Sequence, residues 1–315
     1  MSSLGVAATL GVQTLVVTAV APLVIGTMRQ TRARLEGRAG AGVLQPWRDA
    51  RKLFRKTPLT APGVVLGAAL PVVLMATSLL LVVLLPLVTT ATLPAVPSDL
   101  FVVVSVLLLG SVAVALIGLD AGTAFGGMGS SRHMMIAALV EPTVLVAVYA
   151  LSIPVGASTL STILSARMND PGSIVSPVSA LALVALAIAV IAETGRLPID
   201  NPSTHLELTM VHEAMVLEAS GRDLGWIELS SWLRLTALLG LLANLALPWG
   251  VAEQLTVSAV LVGVVAVTVK VALVGAALAT AEVFIAKVRL FRVPELMAAS
   301  FVLAFLSVTA SYLTV

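Results

Sequence analysis

The chain has no cysteine and very little charge, with only 11% of its 315 residues being Asp, Glu, Lys or Arg. Without cysteine there is no disulfide framework, no Cys-ligated iron–sulfur cluster and no thiolate zinc site. With so little charge, and a mean hydropathy of +1.08, a soluble globular domain is excluded and many membrane spans are implied. There is no internal repeat of fixed period and no low-complexity tract beyond the apolar bias. No charged segment precedes the first apolar run, so that run reads as a retained span rather than a cleaved signal peptide.

What is present are long charge-free runs. Crossing ~30 Å of hydrocarbon takes about 20 helical residues. Runs of that kind occupy Met1–Met28, Thr57–Ser98, Leu100–Leu119, Pro142–Ala166, Pro171–Ala192, Leu235–Ala252, Gln254–Ala281 (interrupted by Lys270) and Leu296–Val315. None alternates as a membrane β-strand does, and backbone groups in lipid must be satisfied within each segment, so helices are the expected form. Thr57–Ser98 is long enough for two spans, which would move every later loop to the other side. Basic residues collect on the cytoplasmic side. With one span there, 16 of the 18 Lys and Arg lie inside, leaving Arg167 outside and Lys270 within a span. The sequence therefore predicts a single all-α, polytopic membrane domain over residues 1–315, with eight transmembrane helices and both termini outside. The net charge of +2 is accounted for by orientation, and no nucleic-acid partner is expected.

The inside loops carry the remaining signals. In "QPWRDARKLFRK", Trp47, Ala50, Leu53 and Phe54 recur at helical spacing opposite Arg48, Arg51, Lys52, Arg55 and Lys56. That pattern predicts an amphipathic helix lying on the membrane beside anionic lipid or a partner; a basic loop that only sets topology is the alternative. "DAGTAFGGMGSSRHMM" is a glycine-rich loop without the Lys-Ser or Lys-Thr of a phosphate-binding loop, which leaves packing against a neighbour as its role. Glu141 lies inside the fourth span, where a carboxylate costs about 2.5–3.5 kcal/mol and needs a partner or a water path. Lys270 has the same need: Glu141 is its first intramolecular candidate, a carboxylate on a neighbouring subunit is the second, and a lysine serving only helix packing is the alternative.

Residues 192–221, "AETGRLPIDNPSTHLELTMVHEAMVLEASG", concentrate acids and histidines as no other stretch does. Pro198 and Asn201-Pro202 make an irregular entry, and a helix is expected from Ser203 to Gly221. His205 and His212 share a face of it, without an evident third metal ligand. "HEAMV" lacks the second histidine of a zinc-protease helix. Clustered carboxylates at a membrane face suit either proton hand-off or docking of a basic partner surface.

These residues carry a resemblance. "ETGRLPIDNPSTHLELTMVHEAMVLEASGRDLG" and "GRAGAGVLQPWRDARKLFRK", with "SSRHMMIAALVEP" and "EVFIAKVRLFRVPEL", resemble the complex I subunit 1 family. They are most similar to the hydrogenase-4 component C and formate hydrogenlyase subunit 4 branch of membrane-bound group 4 NiFe hydrogenases. The resemblance spans the whole chain. It implies a non-catalytic membrane anchor and coupling subunit in the cell inner membrane, on which a peripheral redox arm docks. Partners would be hydrogenase-like large and small subunits and antiporter-like membrane subunits. The NiFe centre and iron–sulfur clusters would sit in those partners, with no cofactor or metal held by this chain. It further implies Glu141, Glu193, Asp200, Glu207, Glu218 and Lys270 as the proton-transfer and coupling residues. Arg196, His205, His212, Arg48, Arg51, Lys287, Arg289 and Arg292 are the corresponding docking residues. A quinone-site subunit of a respiratory NADH dehydrogenase and a stand-alone ion transporter are the alternatives; "STHLEL" replaces residues that are usually acidic in the complex I members, which favours the hydrogenase branch.

Overall fold

The computed structural model describes residues 3–60, 63–92, 98–200, 210–286, 288 and 292–314. Eleven α-helices succeed one another among them: α1 (Ser3–Leu35), α2 (Gln45–Phe54), α3 (Ala69–Leu84), α4 (Leu100–Asp120), α5 (Ala124–Ser152), α6 (Leu160–Asn169), α7 (Pro177–Glu193), α8 (His212–Val216), α9 (Gly221–Ala246), α10 (Val257–Phe284) and α11 (Val293–Thr314). Six of them, α1, α4, α5, α9, α10 and α11, are long and apolar enough to cross a membrane, and α3 and α7 are shorter apolar helices of 16 and 17 residues. The chain is an all-α, multi-pass membrane protein.

Helix starts follow local chemistry. Asp99, Thr123, Ser176 and Thr256 each accept a backbone N–H of the first turn with a side-chain oxygen, at the heads of α4, α5, α7 and α10. Four helices, α4, α5, α7 and α11, pack as one group, while α9 is the axis of another, contacting α1, α3 and α10. Small residues set a close crossing of α4 and α5. A Cβ on Gly126 of α5 would stand 2.3 Å from the carbonyl oxygen of Gly118 on α4, so the two helices meet backbone to backbone there.

The structure corrects several expected boundaries. The glycine-rich stretch is the first part of α5, not a loop. Charge-free counting cuts that helix at Arg132, His133 and Glu141, all of which it absorbs. Its end also moves, since α5 stops at Ser152 and Ala166 belongs to the separate α6. The 42-residue run 57–98 yields a single apolar helix, α3, because Pro86 holds Leu85 in an extended conformation (φ −79°, ψ 134°). Gly221 has the expected left-handed φ of +54°, yet it opens α9 rather than closing a helix. Residues 212–216 form only the short α8, and the expected start at Ser203 lies outside the described residues.

Beyond α3 the backbone is not helical, and side chains satisfy it. Gln13 of α1, itself buried, donates Nε2 to the Val82 and Leu85 carbonyls and accepts Val88 N–H at Oε1 (2.7, 3.0 and 2.9 Å). Asn244 of α9 donates Nδ2 to the Pro86 and Leu87 carbonyls, both at 2.9 Å. Irregular backbone inside an apolar bundle persists only where its polar groups find partners in this way.

Helix α2 lies against α9, as its apolar face requires. Phe54 meets Trp226 edge-on, with ring centroids 4.9 Å apart and planes at 76°. Pro46 and Ala50 are buried, and Arg48, Arg51, Lys52, Arg55 and Lys56 are exposed. Trp47 is 41% exposed.

Candidate functional site: a buried ionisable cluster

The C-terminal end of α7 places Glu193 inside the bundle, where it pairs with Arg234 of α9. The Arg234 guanidinium also donates to the Leu107 carbonyl (2.7 Å) and to Ser111 Oγ (2.9 Å), both on α4. Ser111 stands 3.4 Å from Glu193 Oε1, so three helices meet in one hydrogen-bonded knot. An ion pair in such surroundings needs this many partners, because desolvation of each charge costs several kcal/mol. Glu141 of α5 is buried beside it, interacting with Glu193, Arg234 and Ser111. One oxygen, Glu141 Oε1, has no hydrogen-bond partner among the described residues, and the same holds for His133 Nε2 on the same helix.

A second knot lies on the loop side. Glu282, at the C-terminal end of α10, pairs with Arg32 of α1 and stands 3.8 Å from Arg196 in the loop after α7. Asp200 is buried and accepts the backbone N–H groups of Val211 and His212, both at 3.2 Å, thereby fixing the entry to α8. Burial pushes the His212 imidazole below its ordinary value; Arg196 and Arg234 add to that, while Glu213 and Asp200 oppose it. Burial likewise lowers the Arg196 guanidinium, with Glu282 opposing. Both knots line one cavity of about 210 Å³, whose walls include His133, Glu193, Arg196, Asp200, His212, Glu228, Arg234 and Glu282. A polar cavity of this size has room for water beside groups able to take up and release protons.

The sequence-derived candidates divide accordingly. Glu193, Asp200, Arg196 and His212 come together in the cavity, and Glu141 adjoins it. Arg196 faces inward to Glu282 instead of outward as a docking residue would. Arg48, Arg51 and Arg292 are exposed, and so is Glu218, which lies beside Leu59 and Ser220 away from the cluster. Glu207, His205, Lys287 and Arg289 lie outside the described residues. Lys270 is not paired with Glu141; its ammonium donates to Asn244 Oδ1 (2.9 Å), ten residues along α9 from Arg234, or about 15 Å at 1.5 Å per residue. Among the described residues no group of three or more His, Asp or Glu could hold a metal ion. Arg234, Arg32, Glu282, Ser111 and His133 had no place in the sequence-derived site. Arg234 and Glu282 carried a usable signal, since each is a charge at the edge of a charge-free apolar run and therefore in need of a partner.

A polytopic helical bundle with a buried ionisable cluster defines the class: a multi-pass membrane protein that holds charged side chains inside its bundle. Residues 7–313 match the family described as NADH dehydrogenase, and the chain belongs to that family, in its complex I subunit 1-like form. It is 33% identical over 298 residues to formate hydrogenlyase subunit 4 of Escherichia coli (strain K12), covering 94% of this chain and 95% of that protein. It is 31% identical over 300 residues to hydrogenase-4 component C of the same organism, covering 94% and 92%. A chain of the membrane-bound sulfane sulfur reductase, an archaeal respiratory membrane complex, has the same fold at a TM-score of 0.85, covering 98% of this chain and 99% of that one at 18% identity.

Proposed function

We propose that this protein is the membrane anchor and coupling subunit of a hydrogenase-type oxidoreductase complex, related to formate hydrogenlyase and hydrogenase-4. The observation that carries the reading is the cavity in which Glu193, Arg234, His133, His212, Asp200 and Glu282 meet beneath the loops after α1 and α7. In this reading a redox arm, with hydrogenase-like large and small subunits, docks on those loops and on the exposed Arg48, Arg51 and Arg292. A charge change at the arm alters the Glu193–Arg234 pair. Glu141, on the neighbouring α5, sits next to that pair, so it takes up or releases the proton that antiporter-like neighbours pass on. The protein itself is non-catalytic and lies in the cell inner membrane. The names of its two curated relatives, a subunit and a component of hydrogen-metabolising systems, support the assignment.

Two experiments test it. Purified in mild detergent from its native membrane, the protein should bring with it subunits carrying nickel, iron and iron–sulfur clusters. Flavin and bound quinone instead would point to a respiratory NADH dehydrogenase, and a lone functional chain to a transporter. In the assembled complex, Glu141→Gln should retain electron transfer while coupled ion movement falls by about tenfold or more, the range typical of a positioned proton-transfer group. Full ion movement in that variant would remove Glu141 from the pathway.

A further inference from the structure

At the opposite end of α9 from the ionisable cluster, a second buried charge is held in a different way. Lys270 of α10 is 2% exposed, and among the described residues it stands in no ion pair with a carboxylate. Its ammonium donates instead to Asn244 Oδ1 at 2.9 Å and to the Trp249 main-chain carbonyl, and lies 4.7 Å from the centroid of the Trp249 ring. Two oxygens and an aromatic face are the groups that recognise an alkylammonium.

The surroundings add to this. Helix α9 ends at Ala246 and α3 at Leu84, and the segments beyond them run side by side, with Ala252 N–H donating to Val88 O (2.9 Å) and Thr90 N–H to Ala252 O (3.1 Å). Two helix C-termini thus converge, and each carries about half a negative elementary charge from its aligned peptide dipoles. A second buried cation, Arg167 of α6, donates to the α9 carbonyl of Leu245 at 2.9 Å, which is what a negative helix end should attract. Irregular backbone beside half-helix C-termini is a recurrent way to hold a cation in membrane proteins.

Asn244 links this site to the break after α3. Its Nδ2 is committed to the Pro86 and Leu87 carbonyls, so its Oδ1 points away from them and has no N–H of its own to meet. Only a donor can face that oxygen, and Lys270 supplies one with a charge. We infer that Asn244, Trp249 and the converging ends of α3 and α9 form a binding site for a primary ammonium group, whose resident occupant is the side chain of Lys270. The tethered ammonium fixes the sense of the Asn244 amide and, through it, the broken segment 85–90. Emptied of its tether, the site accepts a free small alkylammonium ion.

The test uses the full-length chain in lipid nanodiscs. Lys270→Ala removes the occupant and leaves its space. Its Tm should fall by roughly 5 °C, the shift expected from losing a charged hydrogen bond in a chain of this size. Methylammonium chloride should restore much of that fall in a saturable way. Tetramethylammonium chloride at equal ionic strength keeps the charge without the N–H donors and should restore none. Lys270→Met, which fills the space with an apolar side chain, should not respond to either salt. A wild-type Tm in Lys270→Ala would overturn the inference, because the site would then need no occupant. A lowered Tm that methylammonium leaves unmoved would overturn it equally. Should Lys270→Ala give no folded protein, cell-free synthesis into nanodiscs with methylammonium present decides. Folded protein recovered only with methylammonium upholds the site, and none with either salt refutes it.

Discussion

At the scale of single residues, the decisive feature is how few charges there are and how closely the buried Glu193 and Arg234 are paired. Glu193 and Arg234 sit among apolar helices, their side chains 2% and 12% exposed, and together they knit α4, α7 and α9. Removing one partner of such a pair leaves the other charge buried without compensation, at a cost of about 3–5 kcal/mol. Arg234→Met should therefore lower the thermal stability of the solubilised protein by that order, and Arg234→Met with Glu193→Leu should recover most of it. An equal loss in the double variant would mean that packing, not charge, holds the knot. His212 provides a pH signature. Its burial lowers the folded-state value below the usual 6.5, so the neutral imidazole is the form the fold accommodates. As pH falls through about 6.5 the unfolded chain takes up a proton that the native one refuses, and stability drops by at most ~1.4 kcal/mol per pH unit until the folded group also titrates. Above that window the residue contributes no pH dependence. Unfolding curves from pH 7.5 downward should fall more steeply for the wild type than for His212→Gln, and parallel curves would exclude His212 as the source. Much of this was hidden in the sequence. Glu193, Asp200 and His212 stood out because they crowd into one stretch, but Arg234 lies 41 residues from its partner. Only the packing of α9 against α7 joins them.

At the scale of elements, apolar periodicity and capping were legible, while helix ends inside polar-tinged stretches were not. The amphipathic pattern from Gln45 gives α2 with its observed start, while the helix stops at Phe54, two residues short of the basic pattern's end at Lys56. Segment 121–133 misled because glycine and charge signal loops in soluble proteins, whereas between membrane helices glycine permits close approach. Its glycines are not equivalent, and that is testable. A Cβ on Gly126 would meet the Gly118 carbonyl at 2.3 Å, and one on Gly129 would meet the Ala214 side chain at 2.9 Å, but at Gly127 nothing lies within 4 Å. Gly126→Ala must push α4 away from α5 and should cost about 1–3 kcal/mol, the range for overpacked interiors. Gly127→Ala should instead be neutral or slightly stabilising, since alanine favours a helix by up to about 1 kcal/mol over glycine. Thermal unfolding of the two variants side by side checks the contrast, and equal effects would contradict the close α4–α5 crossing.

At the scale of the whole molecule, the distribution of basic residues and the number of helices make a joint statement about orientation. Eight apolar helices are present among the described residues, counting α3 and α7 with the six longer ones. An even number of crossings leaves both termini on one side, and the basic loops then choose the side. Arg29 and Arg32 near the C-terminal end of α1, Arg48 and Arg51 in α2, Arg196 after α7 and Arg292 before α11 all fall on the same face of that path, together with α8 and the ionisable cavity. Short loops rich in Lys and Arg stay in the cytoplasm. The cavity should consequently open towards the cytoplasm, where a redox arm would reach it, and the Lys270 site should lie towards the outer face. Since the chain lacks cysteine, single cysteines report position without background. Cysteines at Ser105, Ser158 or Ser173 offer graded checks along the outer half, and one at Lys52 marks α2. In intact right-side-out membranes a membrane-impermeant maleimide should label Ser158→Cys and Ser173→Cys, both in the connections around α6, while Lys52→Cys should react only after the membrane is opened. Labelling of Lys52→Cys in sealed membranes would invert the orientation, turning the ionisable cavity away from any cytoplasmic redox arm and removing the basis for coupling through Glu193.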